Sequence, residues 1–243
     1  MRLSPISALF LAVANPALAF ETADTDHLEI KWVRDSAEYQ ALTRQTFHAA
    51  TASVQTQAKD LRRRQAWAVV LDVDETTLDT SPYWLELAAY DRPFDWASWD
   101  AWCERRVAET VPGVEAFVHT VREAGGRVAY VTNRRDATRE ATIDNLRARG
   151  LWGDMDRICL LTEDPERTKR VRRTELREGH GPCGWEGEPM TVLAYLGDSL
   201  HDLPEDGEDG GFDDNLGVRS FVLPNPMYGG FEHGVTRAIP AAK

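Results

Sequence analysis

The 243 residues carry 40 acidic and 28 basic side chains, a formal net charge of −12, with 42% hydrophobic and 28% charged residues. That is an ordinary globular balance, and the length suits one sizeable domain or a core with a small accessory domain. So acidic a chain gives no footprint for a nucleic-acid polymer or an anionic membrane, and an anionic ligand would need a local positive patch or a metal ion.

Residues 1–19 read as a signal peptide: Arg2, the apolar run ISALFLAVA at 6–14, and Ala17-Leu18-Ala19 before Phe20. The apolar run is shorter than a membrane span. No cysteine follows it, so no lipid anchor is indicated. The expectation is an exported, soluble periplasmic or secreted protein with no stable membrane anchor. Oligomeric state stays open, a homo-oligomer included.

Apolar residues from Tyr39 to Leu61 recur at steps of three and four, which predicts one or two amphipathic helices over 36–63, with capping-box spacing at Asp35 and Glu38. Four apolar runs follow: WAVVLDV (67–73), RVAYVT (127–132), RICLL (157–161) and TVLAYLG (191–197), with a fifth candidate at 218–224. Most do not alternate with polar residues, the look of strands buried on both faces of a parallel sheet. Between them, Asp136 and Gly150 bracket one helix. Asp164, Pro165 and Gly179 cap, start and end another. Strands alternating with helices predict an α/β fold, a doubly wound parallel sheet.

The insert at about 80–112 is rich in aromatics: Tyr83, Trp84, Tyr90, Phe94, Trp96, Trp99 and Trp102. Residues 30–64 and 80–112 are expected to form a small, mainly helical cap domain on a core of 65–79 and 113–235. Of the cysteines, Cys159 reads as a small core residue, while Cys103 and Cys183 are the pair free to form a disulfide. The tract EDGEDGGFDDN (205–215) lacks the ligand order of an EF-hand and reads as a solvated acidic loop.

Ligands of such sheets collect at the carboxyl ends of the strands. Asp72 and Asp74, Thr132 and Asn133, and Gly197-Asp198 all fall there. Each alone reads equally as a turn or cap; together they point to one site. Asp72, Asp74, Asp198 and Asp202 make a dense negative cluster that a hard cation such as Mg2+ would neutralise. Two aspartates on one turn also suit a carboxylate nucleophile attacking phosphorus beside a second carboxylate that moves the proton. The transferred group needs cations and donors around it: the Thr132 hydroxyl, the Asn133 backbone N–H and a lysine. ERTKRVRR holds five cations between 167 and 173 at a helix start, a place the macrodipole disfavours. Lys169 and Arg173 share one face, and the rest is expected to be solvated.

These residues resemble the haloacid dehalogenase (HAD) superfamily: LDVDETTLD its first motif, VTNR its second, Lys169 its third, GDSLHD its fourth. EYQAL..QTF, DETTLDTSPYW, Trp99 and Trp102, and VLPNPMYGGFE are similar to the class C acid phosphatases and 5'-nucleotidases, over about Trp32 to Glu232. The resemblance implies a Mg2+-dependent acid phosphatase acting on small-molecule phosphomonoesters, nucleoside 5'-monophosphates among them, through an aspartyl-phosphate. It makes Asp72 nucleophile and metal ligand, Asp74 acid/base with its backbone carbonyl on the metal, Asp198 a metal ligand and Asp202 a support. Thr132 and Lys169 would hold phosphoryl oxygens. Asn133, Arg134, Trp99 and Tyr228 would contact substrate, the rings against a nucleobase. Ser199 stands where the family usually has Asn. Two alternatives stay open: transfer of the phosphoryl group to an alcohol, and capture of phosphate compounds without catalysis.

Overall fold

The structure, a computed structural model, describes residues 27–62, 65–205, 207–209, 211 and 213–233. The expected signal peptide at 1–19 lies outside them. No helix among the described residues is long and apolar enough to cross a membrane.

In chain order the elements are α1 (Leu28–Asp35), α2 (Ala37–Asp60), β1 (Trp67–Leu71), β2 (Leu78–Asp79), α3 (Ser81–Ala89), α4 (Trp96–Cys103), β3 (Glu109–Thr110), α5 (Val114–Glu123), β4 (Arg127–Arg135), α6 (Arg139–Ala148), β5 (Arg157–Leu161), α7 (Lys169–Glu178), β6 (Thr191–Gly197) and β7 (Ser220–Val222). Five strands form one parallel sheet in the order β5-β4-β1-β6-β7. β2 and β3 pair antiparallel as a separate ribbon. The four apolar runs and the 218–224 candidate are all strands.

Alternate residues of each strand enter different cores, which explains why the runs carry no polar alternation. Val69 and Leu71 of β1, Val128 and Tyr130 of β4 and Ile158 of β5 pack with Phe47, Phe117 and Leu146 of α2, α5 and α6. Ala68 and Val70, Ala129 and Val131, and Cys159 pack on the other side with Leu176 of α7, Trp185 and Met190. The sheet is doubly wound.

Helix α2 lies elsewhere than expected. The 30–64 stretch is predicted to cap the strand ends, but α2 covers one sheet face. Its Phe47 ring sits 5.7 Å from Phe117, and Gln57 Nε2 donates to the Leu193 carbonyl at 3.0 Å. The apolar stripe that marks it as amphipathic fits a sheet as well as a cap. The 80–112 insert does pack as an aromatic unit with α1 against α3.

Three helix starts differ from the predicted ones. Ser36, not Asp35, caps α2, its hydroxyl accepting from Tyr39 N at 3.0 Å. Asp136 heads a short 3-10 turn before α6. Asp164 closes a turn of its own by accepting from Glu166 N at 3.0 Å, so α7 begins at Lys169 behind Thr168. Gly179 ends α7 with φ 72°, as predicted.

The cysteine pairing is corrected. Cys159 of β5 is bonded to Cys183, with Cα atoms 5.5 Å apart, and Cys103 is free and buried in α4. The chain leaving α7 returns across the sheet face that Cys159 points into, while Cys103 belongs to the core of the opposite face. The acidic tract is corrected too. Glu208 is buried on Arg173 and Arg177, and Asp209 pairs with Arg219.

Burial pushes the Cys103 thiol up to about 12, so it is neutral as well as inaccessible at pH 8. Titration with a disulfide reagent at pH 8 should find no reactive thiol in the native oxidised protein and one in denaturant. Prior reduction should add two more. A thiol reacting in native buffer would contradict this packing.

Candidate active site

β1 lies between β4 and β6. Neighbouring strands run about 4.8 Å apart, so polar residues ending these three strands must meet. Asp72 leaves β1 with its N–H on the Leu196 carbonyl at 2.9 Å. A tight reversal follows. Thr77 Oγ1 donates to Asp72 O at 2.6 Å, the N–H groups of Thr77 and Leu78 share the Val73 carbonyl, and Glu75 takes φ 55°.

The carboxylates of Asp72, Asp198 and Asp202 gather with oxygens within 4.8 Å of one another. Lys169, at the first position of α7, reaches between them. Its Nζ donates to Asp72 Oδ1 at 2.7 Å and also to Asp202 Oδ1. Asp202 spends its second oxygen on the Ser199 N–H at 2.9 Å, within a capping box around the 3-10 turn Leu200–Asp202. Ser199 therefore caps the turn. Gly197 is required here, because a Cβ on it would lie 2.1 Å from the Asp202 Cβ. Asp198 accepts from Asn225 Nδ2 at 2.8 Å, with Thr76 Oγ1 at 3.5 Å.

Burial pushes the Asp72 carboxyl well above the usual range. Lys169 opposes that, and Asp202, Asp198 and Asp74 add to it. Burial, then Asp202, push Asp198 up to about 7. With all three carboxyls ionised, the cluster and its one ammonium carry two negative charges. An all-oxygen donor set with that residual charge fits a hard divalent cation. Both Asp202 oxygens are spent at short range on Lys169 and the Ser199 N–H, whereas Asp198 Oδ1 meets only Thr76 Oγ1 at 3.5 Å. That favours Asp198 as a ligand and Asp202 as support.

Asp74 stands apart from this cluster. Arg134 Nε and Nη2 both donate to its Oδ1, at 2.9 and 2.8 Å, and its Oδ2 has no protein partner among the described residues. This revises Arg134, expected to contact substrate: its guanidinium is buried, spent on Asp74, with the Trp99 ring 5.6 Å away. Trp99 is revised likewise. It is 6% exposed, stacked on Trp102 at 5.6 Å and 12° within the insert's core.

Thr132 is buried within β4, which runs on to Arg135 beyond the end of β1, and its hydroxyl accepts from Arg134 N at 3.1 Å. Asn133 is exposed, and its side-chain oxygen accepts from Arg172 Nη2 at 2.8 Å, which leaves its side-chain NH2 as well as its backbone to a ligand. Arg172 and Arg173 are fully buried; Arg173 shares the face of Lys169, and it is the burial of Arg172 that corrects the expectation that the rest is solvated.

Tyr228 is half-buried and stacks on Trp84 at 4.6 Å and 27°, and Trp84 in turn faces Phe94 at 6.0 Å and 20°. The Tyr228 hydroxyl donates to Glu75, a fully buried carboxyl that also accepts from Thr80 N at 2.9 Å. Burial, then Asp74, push Glu75 well above the usual range. Sequence reasoning singled out neither Trp84, Asn225 nor Glu75 for a role in the site. Trp84 stands among the flagged aromatics and Asn225 in PNPMYGG, but only packing tells a ligand-facing ring from a core ring.

Residues 8–231 match the family model for the HAD superfamily, subfamily IIIB (acid phosphatase). An acid phosphatase 1 from Solanum lycopersicum is 27% identical over 165 residues, 68% of this chain; the match spans 59% of that relative's length. The class C acid phosphatase from Bacillus anthracis shares the fold with a TM-score of 0.69 at 24% identity, over 87% of this chain and 90% of that one. The same enzyme with tungstate bound aligns equally well, at 23% identity. The match to the family model covers nearly the whole chain, and this chain belongs to the HAD superfamily, subfamily IIIB, the acid phosphatases.

Proposed function

We propose that this chain is a Mg2+-dependent acid phosphatase that hydrolyses small-molecule phosphomonoesters through a phosphoryl-aspartate at Asp72. The observation that carries the reading is the placement of Lys169 between Asp72 and Asp202, with Asp198 within 4.8 Å. Asp72 Oδ1, held by Lys169, is the oxygen that would also face the cation, which leaves Oδ2 to attack.

Attack by Asp72 Oδ2 on phosphorus forms the O–P bond as the ester oxygen departs. Asp74 Oδ2, left open by the one-sided Arg134 contact, gives that oxygen its proton. Asp74 then takes a proton from water, which attacks phosphorus and releases phosphate and Asp72. Arg134 keeps the acid/base carboxyl in place. Thr132, the Asn133 N–H and Lys169 surround the equatorial oxygens, where charge spreads in the transition state. Mg2+, held by Asp72, Asp198 and the Asp74 carbonyl, would add Lewis-acid neutralisation of the phosphoryl charge.

The neighbouring Bacillus enzyme binds tungstate, a tetrahedral oxyanion of phosphate's shape. Tyr228, half-buried and backed by Trp84, is the ring proposed to meet a nucleobase, so nucleoside 5'-monophosphates are among the proposed substrates. The Cys159–Cys183 bond supports export to an oxidising compartment, periplasmic or extracellular.

With p-nitrophenyl phosphate, phosphate release should stop in EDTA and return on adding Mg2+; release indifferent to EDTA would contradict the cation reading. An Asp72→Asn variant should bind substrate and not turn it over, and turnover near the native rate would exclude Asp72 as nucleophile. Lys169→Met should lower kcat by about 10²–10³-fold, the scale for removing one transition-state donor. A change under threefold in steady-state kinetics would remove Lys169 from the mechanism.

A further inference from the structure

Glu208 and Arg173 are both essentially inaccessible, although Glu208 sits in an acidic tract and Arg173 on a basic helix. Arg173 Nε and Nη2 donate to the two Glu208 oxygens at 2.9 and 2.7 Å, and its Nη1 donates to the His201 carbonyl at 2.8 Å. Arg177 Nη1 adds a bond to Glu208 at 2.9 Å, and the Glu205 N–H another at 3.4 Å. None of these groups touches the reacting atoms, and the proposed mechanism uses none of them.

Stability is a weak account of this network. A buried ion pair loses much of its attraction to desolvation, and apolar residues of equal volume often do as well. What the network does fix is a position. His201 lies in the turn that carries Asp202 and follows Asp198. That turn is fastened to α7 twice, by Lys169 on Asp202 and, one helical turn later, by Arg173 on the His201 carbonyl, with Glu208 holding the other two arms of the guanidinium. With only the first fastening, the turn could pivot about the lysine and Asp202 would shift against Asp72, while Asp198, held by β6 and Asn225, would lose the backing of the turn that follows it.

We propose that Arg173 and Glu208 are positioning residues for the cation site, clamping the Asp198–Asp202 turn to the helix that carries Lys169. The inference rests on the cation reading above. Arg173 must reach three acceptors with one planar fork, which lysine cannot reproduce. Partners that orient ligands from behind typically change metal affinity by about 10–100-fold when removed.

The test is calorimetric titration of Mg2+ into the folded native protein and the variants Glu208→Gln, Arg173→Lys, Arg177→Gln and Arg170→Gln. Glu208→Gln and Arg173→Lys should raise the Mg2+ dissociation constant about 10–100-fold. The Mg2+ needed for half-maximal p-nitrophenyl phosphate hydrolysis should rise in step, with kcat at saturating Mg2+ far less affected. Arg177→Gln, which removes one contact at a partly exposed position, should shift the constant less and in the same direction; it keeps the test open should the first two fail to fold. Arg170→Gln removes the same charge from an exposed site and should leave binding unchanged. Folded variants with lowered melting temperatures and native Mg2+ affinity would overturn the inference, leaving a structural role only. A native protein that binds no Mg2+ would instead overturn the cation reading, and this inference with it.

Discussion

Crowding of carboxylates at the end of a buried strand is the constraint that organises this molecule. Two like charges about 4–5 Å apart repel by roughly 3–4 kcal/mol at an effective dielectric of about 20, and here three carboxylates meet within 4.8 Å. Lys169 is the protein's own counter-charge, one ammonium shared by Asp72 and Asp202. It offsets part of the repulsion and leaves a doubly negative residue. The cluster is thus poised to take up positive charge, and it is anchored so that it cannot relax by spreading apart.

Most of the surrounding structure serves that anchoring. β1 between β4 and β6 brings the polar ends together. Gly197 lets Asp202 approach the strand end, where any side chain would collide. Asn225 holds Asp198 from the loop after β7, and Arg134 removes Asp74 from the cluster by giving it a separate cation. Helix α7 does the widest work. Arg172 donates to the carbonyls of Thr132 and Cys159 at 2.5 and 3.1 Å, tying the helix to β4 and β5, while Arg173 ties it to the Asp202 turn. A lysine at a helix N-terminus opposes the macrodipole, and the carboxylates around it make that position favourable.

The sheet was legible in the sequence because doubly buried strands leave a run of apolar residues, and Asp72 and Asp198 stood out because each follows the last apolar residues of such a run; Lys169 was singled out by the resemblance, since one cation on a basic helix reads as solvated by itself. What escaped were properties of pairs distant along the chain. Arg173 and Glu208 look like solvated charges until the fold places them face to face in the interior. Trp99 and Trp84 are alike in sequence, yet one is locked in the insert's core and the other stacks on Tyr228 at the rim. The Cys159–Cys183 bond depends on where the chain returns after α7, which periodicity does not encode. Helix α2 carries a stripe suited to any apolar surface, so its placement on the sheet face was open until its partners were known.

The central claim is that the residual charge of this cluster is met by one divalent ion. Anomalous diffraction at the manganese edge, from crystals soaked in Mn2+, tests it most directly. The account predicts a single peak bonded to oxygens of both Asp72 and Asp198 at about 2.0–2.2 Å, the range for a small hard cation. A saturated soak with no peak in the cluster, or with the ion bound elsewhere on the acidic surface, would contradict it.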